Sequence, residues 1–275
     1  MLDATGGADS FRGPAPLLQT RSGRRVDPIL RVSNLRKSFG SLVAVDDVSL
    51  EVPEGSIFGI AGPNGAGKTS LFNAVTGLPF RADSGTIEFG GRRVERTAAH
   101  ELCRLGIART FQQVVAFNTL SVDQNVRLAA VFGRARGTRP AADVVDRALG
   151  FVGLTEQRTL VAGSLPLDAR KRLMLASALA TEPRLLMLDE PAAGLHGPEL
   201  ARLHELILGI RDMGITVVMI EHVLPVLFGL SDRVLVMDAG RSIAVGTPTE
   251  VAMNDIVISA YLGEHGRRAF DAAQG

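Results

Sequence analysis

One eight-residue segment, residues 62–69, constrains this chain more than any other part of its sequence. The segment reads GPNGAGKT and matches the phosphate-loop pattern G-x-x-x-x-G-K-[ST] at every fixed position. A short apolar run at 57–61 precedes it, and helical spacing follows it to Thr76. This order of strand, loop and helix is the context that the pattern requires. The sequence therefore predicts a nucleotide-phosphate site at the end of a buried strand.

The residue types of this loop suit a nucleoside triphosphate with Mg²⁺. Glycines let the backbone curl so that its N–H groups point at phosphate oxygens, and the following helix adds its positive end. Lys68 would reach the β- and γ-phosphates, and the Thr69 hydroxyl would take one Mg²⁺ position. The candidate nucleotide-binding residues are Gly62, Pro63, Asn64, Gly65, Ala66, Gly67, Lys68, Thr69 and Ser70.

A second candidate cluster follows another apolar run. Residues 185–188 are apolar and are followed by Asp189 and Glu190. A carboxylate at the end of a buried strand lies at the sheet edge where ligands bind in open α/β folds. We expect Asp189 to enter the Mg²⁺ shell and Glu190 to accept a proton from an attacking water.

Two further polar residues join the candidate site. His222 follows the apolar run at 215–220 and is placed to contact a γ-phosphate or to orient the water, although a lone histidine is more often structural. Gln112 could donate its amide oxygen to Mg²⁺, but spacing alone does not separate it from Gln113. Both assignments therefore need support from a wider pattern.

Composition excludes several other classes of protein. Lys and Arg total 30 against 29 Asp and Glu, a formal charge of +1 that gives no general reason to expect a nucleic-acid partner. The single cysteine, Cys103, excludes an intramolecular disulfide and a cysteine-cluster metal site. No apolar run reaches the roughly 18 residues that span a bilayer, and no secretory signal is recognisable. These features predict a cytoplasmic chain that reaches a membrane only through a partner.

The pattern along the chain predicts one α/β domain between two tails. Residues 1–27 are rich in glycine, proline and polar residues and read as a disordered tail, with a basic arm or an over-long gene start as alternatives. Strand patterns near 29–32 and 42–52 suggest an antiparallel pair, and alternating strands and helices suggest a parallel sheet. Residues 97–180 look mostly helical, as an insertion into that sheet. The domain is predicted to span 28–264, with a C-terminal tail at 265–275.

The order of these motifs resembles the nucleotide-binding domain of ABC transporters over about residues 28–264, and more specifically the ATP-binding subunit of branched-chain amino acid importers. The segments that carry the closer resemblance are Phe39-Gly40, GIARTFQ at 106–112, DEPAAGL at 189–195, Ile220-Glu221-His222 and AYLGE at 260–264. The resemblance implies a P-loop NTPase with a RecA-like core, an antiparallel β subdomain and a helical subdomain.

The resemblance also assigns roles and partners. Phe39 matches the aromatic residue that stacks on adenine, with a core phenylalanine as the alternative. Gln112 matches the glutamine that touches Mg²⁺ and senses the membrane subunit. Asp189, Glu190 and His222 match the Mg²⁺ carboxylate, the catalytic base and the switch histidine. The implied cofactors are ATP and Mg²⁺. The implied partners are a second ABC ATPase subunit, membrane permease subunits and, indirectly, a solute-binding protein.

One segment departs from the family pattern. The signature loop usually reads Leu-Ser-Gly-Gly-Gln or Leu-Ser-Tyr-Gly-Gln, but an ungapped match places LPLDA at 165–169. Pro166 supplies neither a hydroxyl nor an N–H, Asp168 replaces a glycine, and Ala169 replaces a hydrogen-bonding glutamine. A carboxylate about 4 Å from a phosphate would cost about 1–4 kcal/mol. Asp168 could instead turn away and cap the following helix.

These changes, together with His196 where the family usually has Asp or Asn, leave three hypotheses open. The chain could be the energy-coupling ATPase of an importer for branched-chain amino acids or a related small polar solute, which works as a homodimer or, because of the altered loop, forms two unequal sites with a different ATPase subunit. It could be a regulatory subunit with little turnover, although Glu190 and His222 are present. It could also be a soluble non-transport ABC ATPase, although such proteins usually carry two ATPase domains or long insertions.

Overall fold

The computed structural model describes residues 27–113, 115–134 and 139–261. The predictions for residues 1–26 and 262–275, which include most of both tails, lie outside this part of the chain. The elements follow in the order β1 (Pro28–Phe39), β2 (Leu42–Pro53), β3 (Ile57–Ala61), α1 (Lys68–Thr76), β4 (Ser84–Phe89), β5 (Arg92–Arg93), α2 (Ala99–Leu105), β6 (Ile107–Arg109), α3 (Val122–Phe132), α4 (Ala141–Val152), a 3₁₀ turn (Ala162–Ser164), α5 (Leu167–Leu179), β7 (Leu185–Asp189), α6 (Gly197–Asp212), β8 (Thr216–Ile220), α7 (Leu224–Leu230), β9 (Arg233–Asp238), β10 (Arg241–Gly246) and α8 (Pro248–Ala252). Residues 255–261 are also helical.

The strands form two sheets. An antiparallel sheet has the order β2-β1-β4-β5, and its β1–β2 hairpin confirms the antiparallel pair predicted near 29–52. The second sheet has the order β10-β9-β3-β8-β7-β6, in which β9, β3, β8, β7 and β6 are parallel and β10 is antiparallel. This arrangement agrees with the predicted α/β P-loop fold.

Both faces of the parallel sheet are covered, which explains its uninterrupted apolar strands. Every residue of β3, β7 and β8 is buried. Alternate side chains of these strands pack against the antiparallel sheet and α1 on one face and against α3–α7 on the other. Since the loops that follow β3, β6, β7 and β8 all leave the same edge, the polar residues after these strands are brought together.

The middle of the chain differs from the helical insertion predicted for residues 97–180. β6 pairs with β7 in the parallel sheet, with Ile107 opposite Leu185, and Leu102 of α2 packs in the core on the side of the antiparallel sheet. The helices that form a separate group are α3, α4 and α5. A three-residue strand is too short to show a hydrophobic period, so the sequence does not reveal β6. No helix of the described residues has the length and apolarity to cross a membrane.

Candidate functional site

The phosphate loop needs glycine at two positions for reasons of backbone geometry. Gly62 and Gly67 have φ values of +150° and +95°. A Cβ atom at Gly62 would collide with the carbonyl oxygen of Met237, and one at Gly67 would collide with that of Ala44. Gly67 is also the N-cap of α1 and offers no side-chain hydrogen bond to the first turn. The leading N–H groups of the helix are therefore available to an anion.

Lys68 is held inside this loop. Its side chain is buried, and Nζ donates hydrogen bonds to the carbonyl oxygens of Gly62 at 2.7 Å and Pro63 at 3.0 Å. Burial lowers the pKa of Lys68, and the carboxylates of Glu190 and Asp189 oppose that shift. Asn64 and Gly65 form the exposed tip of the loop, and Thr69 is exposed one residue after Lys68. Two of the predicted loop residues, Gly62 and Pro63, thus hold the ammonium group of a third, Lys68.

Asp189 ends β7 with one oxygen paired and one free of hydrogen bonds. It is 2% exposed, and its Oδ2 lies 3.0 Å from Nη2 of Arg109. Its Oδ1 is buried without a hydrogen-bond partner. Burial raises the pKa of Asp189, whereas Arg109 acts in the opposite direction. A buried carboxylate oxygen without a partner suits a cation that binds at this position.

Arg109 is a residue of this site to which the sequence analysis assigned no role. At the end of β6, its Nη1 donates to Oδ1 of Asn73 at 2.8 Å, and its guanidinium lies 5.5 Å from the Phe72 ring centroid and 5.1 Å from that of Phe111. Burial lowers the pKa of Arg109, and its pairing with Asp189 opposes the shift. The sequence signal for Arg109 would have been its position at the end of a buried strand, but the sequence pattern did not reveal β6 as a strand.

Glu190, Gln112 and His222 meet beside this pair. Nε2 of Gln112 donates to Oε2 of Glu190 at 2.8 Å, and Nδ1 of His222 lies 3.7 Å from the same oxygen. The contact belongs to Gln112, which spacing alone did not separate from Gln113. Glu190 has a φ of +48° in the turn after β7. The three residues follow β6, β7 and β8, which are adjacent strands of one sheet.

The donor set fits Mg²⁺ only if the nucleotide completes the coordination. Among residues 27–113, 115–134 and 139–261, no group of three or more His, Cys, Asp and Glu side chains could hold a metal by itself. The candidates are the Thr69 hydroxyl, Oδ1 of Asp189 and the Gln112 amide, all of which offer hard oxygen atoms. Mg²⁺ commonly binds through one or two protein ligands, substrate phosphates and water.

Phe39 lies at the tip of the β1–β2 hairpin. It is 44% exposed, which is inconsistent with the alternative of a core phenylalanine. Its ring contacts the edge of Phe80 at a centroid distance of 4.8 Å, and Nζ of Lys37 lies 5.2 Å from its centroid. Lys37 also pairs with Asp83 at 2.7 Å. Because Ala44 of the same hairpin borders Gly67, the exposed ring belongs to the end of the molecule that carries the phosphate loop.

The segment at 165–169 forms the start of α5. Pro166 is the N-cap residue, and no side chain hydrogen-bonds to the cap. Asp168 lies in the first turn, where its Oδ2 is 2.9 Å from Nη2 of Arg172, one turn later. Arg172 in turn donates to the carbonyl oxygens of Val152 and Gly153, both at 2.9 Å. Of the two alternatives for Asp168, capping of the helix is not observed, because its carboxylate accepts a hydrogen bond from Nε of Arg172 at 3.0 Å instead.

The second departure from the pattern, His196, is the exposed N-cap residue of α6 and provides no side-chain cap hydrogen bond. Cys103 is partly buried, and its Sγ donates to the carbonyl oxygen of Gly133 at 3.3 Å. Neither residue joins the candidate site through a described contact.

Comparison with known proteins gives consistent results. A family model described as ABC transporter matches residues 45–193, and one described as branched-chain amino acid ATP-binding cassette transporter matches residues 241–267. The chain is 39% identical to the high-affinity branched-chain amino acid transport ATP-binding protein LivG of Salmonella typhimurium and 38% identical to BraF of Pseudomonas aeruginosa. Each match covers 86% of this chain and 98% of the relative. The crystal structure of an ATP-binding cassette of an ABC transporter in its ADP conformation is similar, with a TM-score of 0.79, 30% identity and coverage of 86% of this chain and 99% of that one.

Proposed function

Because the chain belongs to the ABC transporter family of ATP-binding subunits, we propose that it powers an importer of branched-chain amino acids or a related small polar solute. Members of this family bind ATP and couple its hydrolysis to transport. The printed names of LivG and BraF support the choice of solute. The closing segment matched at 241–267 gives further support.

The observation that carries the proposal is the convergence of Lys68, Asp189 and Glu190 at one sheet edge. ATP would place its phosphates against the leading N–H groups of α1, and its oxygens would replace the loop carbonyls as partners of the Lys68 ammonium. Thr69, Asp189 and Gln112 would hold Mg²⁺, which when bound supplies positive charge to the β- and γ-phosphate oxygens.

Glu190 would accept a proton from the attacking water. As the oxygen of that water bonds to the γ-phosphorus, the bond from the γ-phosphorus to the bridging oxygen breaks, which gives ADP and phosphate. His222 and Gln112 contact the same Glu190 oxygen and would orient its carboxylate. Phe39, which is partly exposed, would stack on adenine.

The proposed partner on the membrane side is a permease subunit, which would hold the chain at the cytoplasmic face of the membrane. Gln112 is followed by a segment with exposed apolar side chains, including Val115 at 64% and Phe117 at 61% exposure. Leu160 and Val161 are also exposed, at 47% and 49%. A permease that binds the exposed apolar residues near Gln112 could shift Gln112. Such a shift would alter the hydrogen bond from Gln112 to Glu190. Solute recognition would reside in the permease and the solute-binding protein.

The proposed second ATPase subunit differs from this chain, so that the dimer contains two unequal sites. Each site would combine the phosphate loop of one subunit with the signature segment of the other. The site that contains Lys68 and Glu190 would receive a signature segment from the partner. The partner's site would receive Pro166 and Asp168 and turn over slowly. This same segment favours a second candidate function, a regulatory subunit with little turnover of its own, although the contact between Glu190 and His222 favours hydrolysis.

The test is reconstitution of the chain with the permease and second ATPase subunit encoded beside it, in liposomes that contain ATP. We expect uptake of radiolabelled leucine that requires ATP and stops in Glu190→Gln. The matched control is Glu199→Gln, which changes an exposed carboxyl group on α6. Uptake that continues at the wild-type rate in Glu190→Gln would contradict the proposed role. ATP hydrolysis without uptake of any branched-chain amino acid would contradict the proposed solute.

A further inference from the structure

The turn that follows Glu190 is held by two buried charged side chains. Nζ of Lys171 donates a hydrogen bond to the carbonyl oxygen of Pro191 at 2.7 Å. Oε1 of Glu221 accepts a hydrogen bond from the backbone N–H of Ala192, also at 2.7 Å. Two successive residues of one turn are thus each held by a charged side chain, Pro191 through its carbonyl and Ala192 through its amide. The turn itself begins at a residue with positive φ, Glu190.

Both side chains are buried, which is unusual for charged residues. Glu221 is 0% exposed and Lys171 is 9% exposed. The pKa of Glu221 is raised and that of Lys171 is lowered, in each case chiefly by burial, and the attraction between their charges opposes both shifts. The second Glu221 oxygen, Oε2, has no hydrogen-bond partner. Burial of charged groups costs solvation free energy, so the presence of this pair calls for a structural or functional reason.

The two residues come from different parts of the fold. Lys171 lies in the second turn of α5, five residues after Pro166 of the altered signature segment. Glu221 follows β8 and directly precedes His222. Arg172, the neighbour of Lys171, bonds to the end of α4. One turn of α5 therefore connects the helical group α3–α5 to the backbone just after Glu190.

We propose that Lys171 and Glu221 form a clamp on the backbone of residues 191–192 that sets the direction of the Glu190 carboxylate. Both are positioning residues, since neither is placed to touch the nucleotide. The inference rests on the proposed role of Glu190 as the acceptor of the water proton. It explains why a carboxylate in a strained backbone conformation keeps its contacts with both Gln112 and His222.

The variants separate loss of the clamp from a change of side chain. Lys171→Met and Glu221→Leu remove the donor and the acceptor, whereas Lys171→Arg and Glu221→Gln keep a donor and an acceptor. Arg202→Met and Glu205→Leu on the exposed face of α6 are matched controls. Each full-length variant is studied by hydrogen exchange and by ATP hydrolysis in the assembly used for Glu190→Gln.

In Lys171→Met and Glu221→Leu we expect amide exchange at Glu190 and residues 192–195 to rise by about tenfold or more, with exchange in β3 changed by less than about twofold. We expect kcat to fall by about 10- to 100-fold while KM for ATP stays within about twofold. Lys171→Arg and Glu221→Gln should recover most of both losses. On a Glu190→Gln background, Lys171→Met should lower the residual hydrolysis no further.

Unchanged kcat in Lys171→Met, or an exchange increase that extends equally to β3, would overturn the clamp. So would a further loss in the double variant. If Glu221→Leu does not fold, Lys171→Met and its rescue by Lys171→Arg still decide the question. Full hydrolysis in Glu190→Gln would contradict the proposed function instead, and the exchange experiment does not depend on turnover, so the two failures are distinguishable.

Discussion

The start of α1 and the start of α5 are both helix N-termini, yet they present opposite chemistry to a phosphate. At α1, glycine backbone and an uncapped first turn leave N–H groups available, and Lys68 adds a positive charge. At α5, Pro166 removes an N–H group, and the first turn contains the carboxylate of Asp168. Asp168 is already paired with Arg172. One chain therefore combines an intact phosphate-binding end with a signature segment whose carboxylate is already paired within its own helix.

The largest expected effect is a loss of ATP hydrolysis when the site beside the phosphate loop is changed. Glu190→Gln should lower ATP hydrolysis by about 10²–10⁴-fold, because the amide cannot accept the water proton. Binding of a fluorescent ATP analogue should remain within about threefold of the wild type, because Lys68 and the loop are unchanged. Hydrolysis that falls in proportion to nucleotide binding would contradict a role in proton transfer.

Arg109→Met should give the next largest effect, on stability. The substitution leaves the buried Asp189 carboxylate without its ion-pair partner, and breaking such a pair costs about 3–5 kcal/mol. Urea denaturation of the full chain measures this loss, and Arg104→Met on α2 is the control. The double variant Arg109→Met/Asp189→Asn should recover part of the loss, because it removes the charge that was left unpaired. A single variant within about 0.5 kcal/mol of the wild type would show that the pair contributes little.

Restoring the family residues in the segment at 165–169 should have a smaller effect, and it should raise activity rather than lower it. Pro166→Ser together with Asp168→Gly should raise the ATPase rate of the heterodimer by more than about twofold, which corresponds to ~0.5 kcal/mol of barrier. The reason is that the partner's site would gain a hydroxyl and lose a carboxylate. The same double change should leave nucleotide binding to this chain's own loop unaltered. A rate within about twofold of the wild type would contradict two unequal sites.

The smallest effect concerns the hairpin that carries Phe39. Hydrogen bonds from Lys37 and then Ser38 lower the pKa of Asp83 to about 2, against an ordinary value of 3.8. A carboxyl group with a lowered folded-state pKa stabilises the fold above its unfolded pKa, and that contribution is lost as the pH falls through the folded value.

Asp83→Asn should therefore lower Tm slightly at neutral pH, and the difference from the wild type should shrink between pH 3.8 and about 2. Glu156→Gln, at an exposed position, is the control for loss of one surface charge. A Tm difference that does not change with pH would show that the hydrogen bonds to Asp83 are not the cause.

The sequence predicted the elements whose signals are local. β3, β7 and β8 are short strands that are almost wholly apolar, and the phosphate loop has fixed letters at fixed spacing, so these elements and the two carboxylates at the end of β7 were recognisable. β6 has only three residues and was included in a helical region, although it places Arg109 and Gln112. Such a strand is defined by its pairing with β7, which no local period reveals.

Long-range partners account for the rest. The sequence left two directions open for Asp168, and the structure adds a third, because Arg172 lies one turn away on the same helix face. The pairing of Arg109 with Asp189 joins residues that are 80 positions apart. The convergence of Lys171 and Glu221 on one turn depends on how α5 packs against the sheet. Side-chain direction and packing of distant elements are properties of the folded chain rather than of any short segment.

Whether the two ends form unequal sites can be read from ATP hydrolysis by the purified chain, alone and mixed with the ATPase subunit encoded nearest to it, with Glu190→Gln as the control. Two unequal ends predict that activity appears in the mixture, remains low in the chain alone and disappears in the control mixture. Equal activity of the chain alone would contradict two unequal sites, because the segment at 165–169 would then complete a working site in a homodimer.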